Sequence, residues 1–281
     1  MSTQIPSGDE VRASHAVLME VLTVLGRYTE GMVLIGGWVP DIVFPKQGHI
    51  GSLDVDLALD PRKIQPAAYD SIRKRLVESG YVQADIHLGV FTKDLPGVGA
   101  SITVKLDMVT GEETGSPASN ALVQDLSIGR LRGVEIALDH AVNVTLSGAL
   151  PSGAENTVTA RIVTVPAYLC MKAFALNERK KEKDAYDVYF CLRHYSGGPT
   201  ALARDCLPLM AIPRGREAFG ILRQKFEALN SIGPQWAAEV ASGQGDDREI
   251  VSRDAYERSL LFFGELDTGQ AGQRIPVDAG A

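Results

Sequence analysis

The amino-acid sequence predicts an α/β (α+β) chain, in which a first lobe of strands and helices precedes an α-helical lobe. Short apolar runs alternate with helical patterns in the first half, and helical spacing dominates from Pro166 onward. The 45% hydrophobic and 22% charged residues are typical of globular chains. We expect an α/β domain at 1–165, a helical domain at 166–267, and a disordered tail rich in Gly, Gln and Ala at 268–281.

The first elements follow from short-range patterns. Residues 11–28 carry apolar side chains at helical spacing, which predicts a helix that buries one face. The apolar run 32–35 is too short for a helix and ends in Gly36-Gly37, which predicts a buried strand and a tight turn. A short helix is expected over 38–44.

Two further strands and one helix complete the readable part of the first half. Residues 53–59 alternate apolar and polar side chains, so Asp54 and Asp56 fall on the same face of a strand. Residues 66–79 are helical in pattern and end before a glycine, and 101–109 form another candidate strand.

The remainder divides into β-like and helical segments. We expect strands at 133–138, 142–146 and 158–165, where apolar runs stand between Gly, Ser and Pro turns. The later helical patterns cover 167–176, 184–195, 217–229 and 253–266.

Charge and cysteine usage exclude some classes of function. A formal net charge of −7 argues against a protein coated in positive charge for non-specific nucleic-acid binding, although a local basic patch is compatible with it. Cys170, Cys191 and Cys206 lack metal-ligand spacing, which predicts reduced, buried thiols. Because no signal peptide or membrane-length apolar stretch is recognisable, we expect a cytoplasmic protein.

The paired aspartates predict a metal site. Two carboxylates side by side on a strand suit Mg²⁺, which takes few protein ligands and shares its remaining positions with phosphates. Asp107, on the strand expected at 101–109, would add a third carboxylate, placed to ligate the metal that activates an attacking hydroxyl. An edge strand with a solvated polar face would also produce the Asp54-x-Asp56 pattern.

Small residues around the aspartates strengthen the metal-site hypothesis. Gly36 and Gly37 allow backbone N–H groups to approach phosphate oxygens closely, and Ser52 adds a hydroxyl donor, so the set predicts a nucleoside triphosphate site. A glycine pair, an Asp-x-Asp strand and a later acidic strand residue resemble the polymerase-β-like nucleotidyltransferase superfamily. This resemblance implies a lobe with a mixed sheet, two bound metal ions, and transfer of a nucleoside monophosphate with release of pyrophosphate.

A second charged segment extends from Lys172 to Asp187, with five basic and four acidic residues. In a continuous helix, Lys172, Arg179, Lys183 and Asp187 would lie near one face, and such a face suits triphosphate binding. The alternative is a solvated helix with local ion pairs, in which Asp184 caps a helix that starts at Ala185.

This segment resembles the AbiEii-like toxin nucleotidyltransferases, in which a helix lysine precedes a Lys-Asp-x-Tyr-Asp segment. The likeness spans residues 32–189 and implies that Lys172 contacts the triphosphate and that Asp184 or Asp187 is a later functional carboxylate. It also implies an RNA acceptor, such as the acceptor end of tRNA, and a cognate antitoxin. One departure is His49, in a stretch where many relatives carry an arginine.

Two other functions compete with the RNA-modifying toxin. The Gly-Gly-Trp opening, His49 and the acidic overall charge favour a small-molecule acceptor, as in antibiotic-modifying enzymes. The basic stretches at 179–183 and 73–75 favour RNA. A catalytically silent fold that binds a nucleotide or a protein is the third hypothesis, although such a fold would be expected to have lost a carboxylate. For an active enzyme, we expect Lys172 and Lys183 to neutralise charge on the leaving pyrophosphate.

Overall fold

The computed structural model describes residues 7–65, 70–84, 89–97, 100–113 and 119–273. The chain divides into two compact units, of which the first ends at Thr164 and the second begins at Val165. The first unit combines a mixed sheet with helices, and the second is built from helices. The predicted α/β (α+β) class is therefore confirmed.

The elements of the α/β unit occur in the following ranges, as far as the described residues show. The helices are α1 (Gly8–Val24), α2 (Trp38–Val43), α3 (Ile72–Glu78) and α4 (Val134–Asp139), with a 3-10 helix at Gly26–Gly31. The strands are β1 (Met32–Ile35), β2 (Asp54–Leu59), β3 (Val82–Gln83), β4 (Val90–Leu95), β5 (Ile102–Gly111), β6 (Asn120–Val123), β7 (Leu126–Leu131), β8 (Ala141–Ala149) and β9 (Glu155–Val163).

The strands pair into one mixed sheet, whose main order is β3-β4-β5-β2-β1-β9-β8, with β7 on β5 and β6 on β7. The central strand β2 runs antiparallel to β1 and parallel to β5. Helix α1 packs against the sheet through buried apolar residues such as Val17, Leu18 and Val21, which confirms the predicted face. The strands expected at 32–35, 53–59 and 101–109 are also confirmed.

Two predictions in this unit are corrected. The helix expected over 66–79 begins at Ile72, because the Ser71 hydroxyl accepts a hydrogen bond from the backbone N–H of Lys74 and caps the helix there. Residues 66–69 lie outside the described residues. The segment 133–138 is helix α4 and not a strand, since short apolar runs suit both structures and this one buries positions 134, 136, 137 and 138 at helical spacing.

The second unit consists of helices α5 (Val165–Glu178), α6 (Glu182–His194), α7 (Gly198–Met210), α8 (Pro213–Lys225), α9 (Ile232–Ser242) and α10 (Arg248–Gln273). Cys170, Cys191 and Cys206 are buried and free, as predicted. None of the helices of the described residues is both long and apolar enough to cross a membrane.

The last helix corrects the predicted tail. Helix α10 continues to Gln273, six residues into the segment 268–281 that we expected to be disordered. Gly269 lies against the side chain of Leu207 in α7, so tertiary packing holds a stretch whose composition favours disorder. Residues 274–281 lie outside the described residues.

Candidate active site

Four charged side chains share one face of the sheet where β2 runs beside β5. The register pairs Asp54 with Lys105 and Asp56 with Asp107. Paired residues on neighbouring strands present their side chains on the same face, and so do residues two apart on one strand. The sheet therefore places Asp107 beside the Asp54 and Asp56 pair, as expected, and adds a lysine to it.

Lys105 was not singled out from the sequence. Its ammonium donates a hydrogen bond to Asp107 Oδ2 at 2.6 Å, and its side chain is 43% exposed. Partial burial opposes the charge, but the hydrogen bond that Lys105 donates to Asp107 and the negative charges of Asp107, Asp54 and Asp56 outweigh this effect and raise the pKa of Lys105. The available signal was its position two residues before Asp107, on the same face of a strand.

The glycine turn after β1 fits closely against this group. Ile35 pairs with Asp56, so Gly36 follows directly beside that carboxylate. A β-carbon at Gly36 would overlap the Asp56 side chain, and the φ of +75° favours glycine in any case. Gly37 is the N-cap residue of α2. The turn is therefore shaped by its contact with Asp56.

The loop before β2 holds the other predicted residues of this unit. Ser52 is buried and lies two residues before Asp54. His49 Nδ1 accepts a hydrogen bond from the backbone N–H of Gly51 at 3.2 Å, a local contact that stabilises the turn. Gly51 has a φ of +75° and packs against Val11 of α1. The turn and this contact together position the start of β2.

The carboxylates are chemically suited to a hard divalent cation. Asp54, Asp56 and Asp107 supply the oxygen ligands that Mg²⁺ prefers, and the Lys105 ammonium bound to Asp107 shows that this group accommodates a positive charge. As their side chains stand, no three His, Cys, Asp or Glu residues of the described chain form a group that could hold a metal ion. The donor set fits the metal, although its oxygens are not gathered around one point.

The second charged group lies in the helical unit, where two separate helices carry it, in agreement with the predicted helical segments 167–176 and 184–195. Helix α5 ends at Glu178 and α6 begins at Glu182. The Lys172 ammonium lies 2.6 Å from Asp184 Oδ1 and 2.6 Å from Asp187 Oδ2. In one straight helix, Lys172 and Asp184 would be separated by about 18 Å, because they are 12 positions apart in the sequence. The break is therefore what brings α6 back to this lysine.

Further donors complete the group around Asp184 and Asp187. Arg179 binds Asp184 in a fork, with Nε 2.9 Å from Oδ2 and the second guanidinium nitrogen 3.0 Å from Oδ1. Asp187 accepts a hydrogen bond from the Tyr168 hydroxyl at 3.0 Å and lies 3.1 Å from the Lys183 ammonium. We call these six residues, Tyr168, Lys172, Arg179, Lys183, Asp184 and Asp187, the ion cluster.

Burial separates the ion cluster into an interior and a rim. Asp184, Asp187 and Lys172 are buried, with Lys172 only 5% exposed. The side chains of Arg179 and Lys183 are 54% and 22% exposed. A solvated helix with local ion pairs is therefore wrong for this segment, and Asp184 does not cap a helix, because Lys181 holds that position.

Electrostatics keep the interior charged. Burial opposes the charge of Lys172, yet the negative charges of Asp184 and Asp187 raise the pKa of its ammonium. Burial would raise the pKa of Asp184, but Lys172 and Arg179 outweigh that effect and lower it. With three cations and two carboxylates, the ion cluster carries an excess positive charge, and its rim cations can meet an anion from solvent.

The predicted residues thus belong to two different units. Gly36, Gly37, Ser52 and the three carboxylates belong to the α/β unit, whereas Lys172, Arg179, Lys183, Asp184 and Asp187 belong to the helical unit. The structure brings the three carboxylates and Gly36 together in the α/β unit, and the five charged residues together in the helical unit. Lys105 and Tyr168 are the contributors that sequence reasoning missed.

Comparison with known proteins identifies the family of the chain. A family model described as the nucleotidyl transferase AbiEii toxin of a type IV toxin–antitoxin system matches residues 51–260, which is more than half of the 281-residue chain. The matched range includes the carboxylates of β2 and β5 and the whole ion cluster, and it begins after the Gly36-Gly37 turn. No curated protein matches the chain. The resemblance derived from the sequence is confirmed.

Proposed function

The chain belongs to the AbiEii family of nucleotidyltransferase toxins of type IV toxin–antitoxin systems, and we propose that its reaction is Mg²⁺-dependent and modifies RNA. In this reaction the acceptor hydroxyl attacks the α-phosphorus of a nucleoside triphosphate, and the bond to the β-phosphate breaks to release pyrophosphate. The observation that carries the proposal is the placement of Asp54, Asp56 and Asp107 on one face of two adjacent strands.

The carboxylates of β2 and β5 have distinct tasks in this proposal. Asp54 and Asp56 hold Mg²⁺, and Asp107 is the third ligand when two ions are present. A metal ion held by these carboxylates would supply Lewis-acid chemistry, polarising the phosphate oxygens. Asp107, on the strand beside that pair, accepts the proton of the attacking hydroxyl. Gly36, by its lack of a side chain, leaves room for the Asp56 carboxylate.

Each unit, taken by itself, offers donors for phosphate. In the α/β unit we assign them to the backbone of Gly37 and the hydroxyl of Ser52. In the helical unit we assign them to the cations Arg179 and Lys183. We expected Lys172 to contact the triphosphate, but its burial between two carboxylates favours a different role. Lys172 holds Asp184 and Asp187 in place, and those carboxylates in turn orient the rim cations.

The acceptor that we propose is RNA, with the acceptor end of tRNA as the first candidate. Lys180 and Lys181 are exposed in the connection between α5 and α6, where they are available to a phosphodiester backbone. The reaction then takes place in the cytoplasm, and a cognate antitoxin encoded on another chain controls it. The net charge of −7 is the observation that favours the alternative, a small-molecule acceptor.

The test is a labelling experiment with purified full-length protein. The protein is incubated with Mg²⁺, total bacterial RNA and each of the four α-labelled nucleoside triphosphates in turn, and the RNA is resolved on a gel. Asp54→Asn keeps the size of the side chain and removes its charge. Asp94→Asn is the matched control, because Asp94 is an exposed carboxylate on β4 that accepts a hydrogen bond from the Thr103 hydroxyl.

Each result leads to a definite conclusion. Label on a tRNA-sized band with the unmodified protein and with Asp94→Asn, but not with Asp54→Asn, supports the proposal. Equal labelling with Asp54→Asn would overturn the assignment of the carboxylates. Transfer to small metabolites without label on RNA would replace the proposed acceptor, and bound nucleotide without any transfer would favour a silent fold.

A further inference from the structure

A lysine lies within the acidic group that we assign to the metal. Lys105 pairs in register with Asp54, its ammonium is 2.6 Å from Asp107, and the charges of Asp54 and Asp56 act on it as well. Three carboxylates on neighbouring positions of a sheet repel one another. The ammonium reduces this repulsion, so Lys105 supplies from the chain itself the kind of charge that a metal ion would supply.

The ammonium and a divalent cation cannot both bind this group of carboxylates without weakening each other's binding. A cation bound by Asp107 would stand within a few ångströms of the Lys105 ammonium and would repel it. Lysine carries its charge at the end of a flexible four-carbon chain, and the Lys105 side chain is 43% exposed, so it is free to move. The nearest new partners in the proposed reaction are the phosphates that arrive with the metal.

We propose that Lys105 is an internal counter-ion that competes with the divalent cation for Asp107 and moves to the nucleotide phosphates when the metal–nucleotide complex binds. This inference rests on the proposed function. Its consequence is that the carboxylates bind metal poorly on their own and well together with the nucleoside triphosphate. Lys105 is thereby a phosphate-binding residue as well as a competitor of the metal.

The proposal predicts effects of opposite sign for one substitution. Lys105→Met removes the competing charge and keeps most of the side-chain volume, so binding of metal alone should tighten on the order of tenfold. The same variant loses an ammonium for the phosphates, so binding of nucleotide in the presence of metal should weaken on the order of tenfold. Lys105→Arg keeps the charge and should change both affinities much less. A purely structural role for Lys105 would weaken both.

The probe for the metal is Mn²⁺, whose free concentration is read from its electron paramagnetic resonance signal with the full-length protein and no nucleotide. Nucleotide binding is then measured by equilibrium dialysis of each labelled nucleoside triphosphate at fixed Mn²⁺. Circular dichroism establishes that each variant is folded, and Lys105→Gln replaces Lys105→Met if the latter fails to fold. Asp54→Asn is measured beside them.

The outcomes separate this inference from the proposed function. Tighter Mn²⁺ binding together with weaker nucleotide binding in Lys105→Met supports the inference. Unchanged or weaker Mn²⁺ binding in that variant overturns the competition, and unchanged nucleotide binding overturns the transfer to phosphate. If Asp54→Asn binds Mn²⁺ as the unmodified protein does, the metal site itself is wrong and the proposed function fails with it.

Discussion

Replacing Lys172 by methionine tests whether the ion cluster is as tightly coupled as its geometry indicates. The substitution keeps a long, flexible side chain in the core of the helical unit and removes only the ammonium. Asp184 and Asp187 then lose the group that lies 2.6 Å from an oxygen of each. Both carboxylates remain buried, and water cannot replace the lost partner without entering the core.

The expected magnitude follows from the contacts that survive. Removing one partner of a buried ion pair costs about 3–5 kcal/mol of stability, because a charge is left buried without compensation. Asp184 keeps the fork of Arg179, and Asp187 keeps Lys183 and the Tyr168 hydroxyl. These contacts place the expected loss at the lower end, about 3 kcal/mol. With a urea m-value of about 2 kcal/mol/M, the midpoint should fall by about 1.5 M.

Equilibrium unfolding in urea measures this loss in the full-length protein. The chain has two tryptophans, Trp38 in the α/β unit and Trp236 in the helical unit, so a Trp38→Phe background makes fluorescence report the helical unit. Lys183→Met is the matched control, because Lys183 contacts the same Asp187 at 3.1 Å from a partly exposed position. The Lys183→Met variant should lose less than about 1 kcal/mol of stability. Equal midpoints for the two variants would refute the reasoning from burial.

Three further predictions concern Gly36, Tyr168 and Asp184. Gly36→Ala should lose about 1–2 kcal/mol of stability from its left-handed backbone alone, and it should also lose activity, because the new β-carbon displaces Asp56. Urea unfolding measures the stability and the labelling assay measures the activity, with Gly129→Ala as the unstrained control. Tyr168→Phe removes one hydrogen bond to a buried carboxylate and should cost about 1–3 kcal/mol in the same unfolding assay. The pKa of Asp184 is lowered in the folded chain, so its contribution to stability is complete above its ordinary value of about 3.9 and is lost as the pH falls through the lower folded value. Unfolding from pH 5 to pH 2 should therefore show a smaller loss of stability for Asp184→Asn than for the unmodified protein.

The central strands were predictable because their residues carry a strong local signal. The run 32–35 is apolar throughout, too short for a helix and closed by glycines, and 53–59 alternates with period two, so both patterns favour strands. The pairing of Asp56 with Asp107 was not predictable in the same way. Strand order and register depend on contacts between distant parts of the chain, and a shift of one residue would have turned the side chains to the opposite face.

Helices α7 and α9 were not singled out from the sequence, and the cause is local. Helices α7 and α9 each carry a Gly-Pro pair in the first turn, at Gly198-Pro199 and Gly233-Pro234, and this pair is also typical of loops. Proline is tolerated at the start of a helix because the N–H that it lacks would have no partner there. The periodicity that follows each pair was the better guide, and the buried positions of both helices confirm it.

The break between α5 and α6 agrees with the predicted helical segments 167–176 and 184–195, although no glycine or proline marks it. The connection contains Arg179, Lys180 and Lys181, which are good helix formers, and no glycine or proline. What ends the helix is the ion cluster itself, because only a reversal of the chain brings Asp184 and Asp187 to Lys172. Spacing within one continuous helix therefore grouped residues that do lie together, but two helices and not one bring them there.

The composition of the ion cluster favours a role beyond stability. Burying two carboxylates costs several kcal/mol per ion, and their pairing with cations does little more than offset that cost. Apolar side chains of equal volume would therefore stabilise the unit to the same extent. Such a group would leave Arg179 and Lys183 without the carboxylates that orient them. A cluster with an excess positive charge and a partly exposed cationic rim is what the binding of an anion requires. We therefore propose that the interior charges support the rim cations in binding an anion such as phosphate.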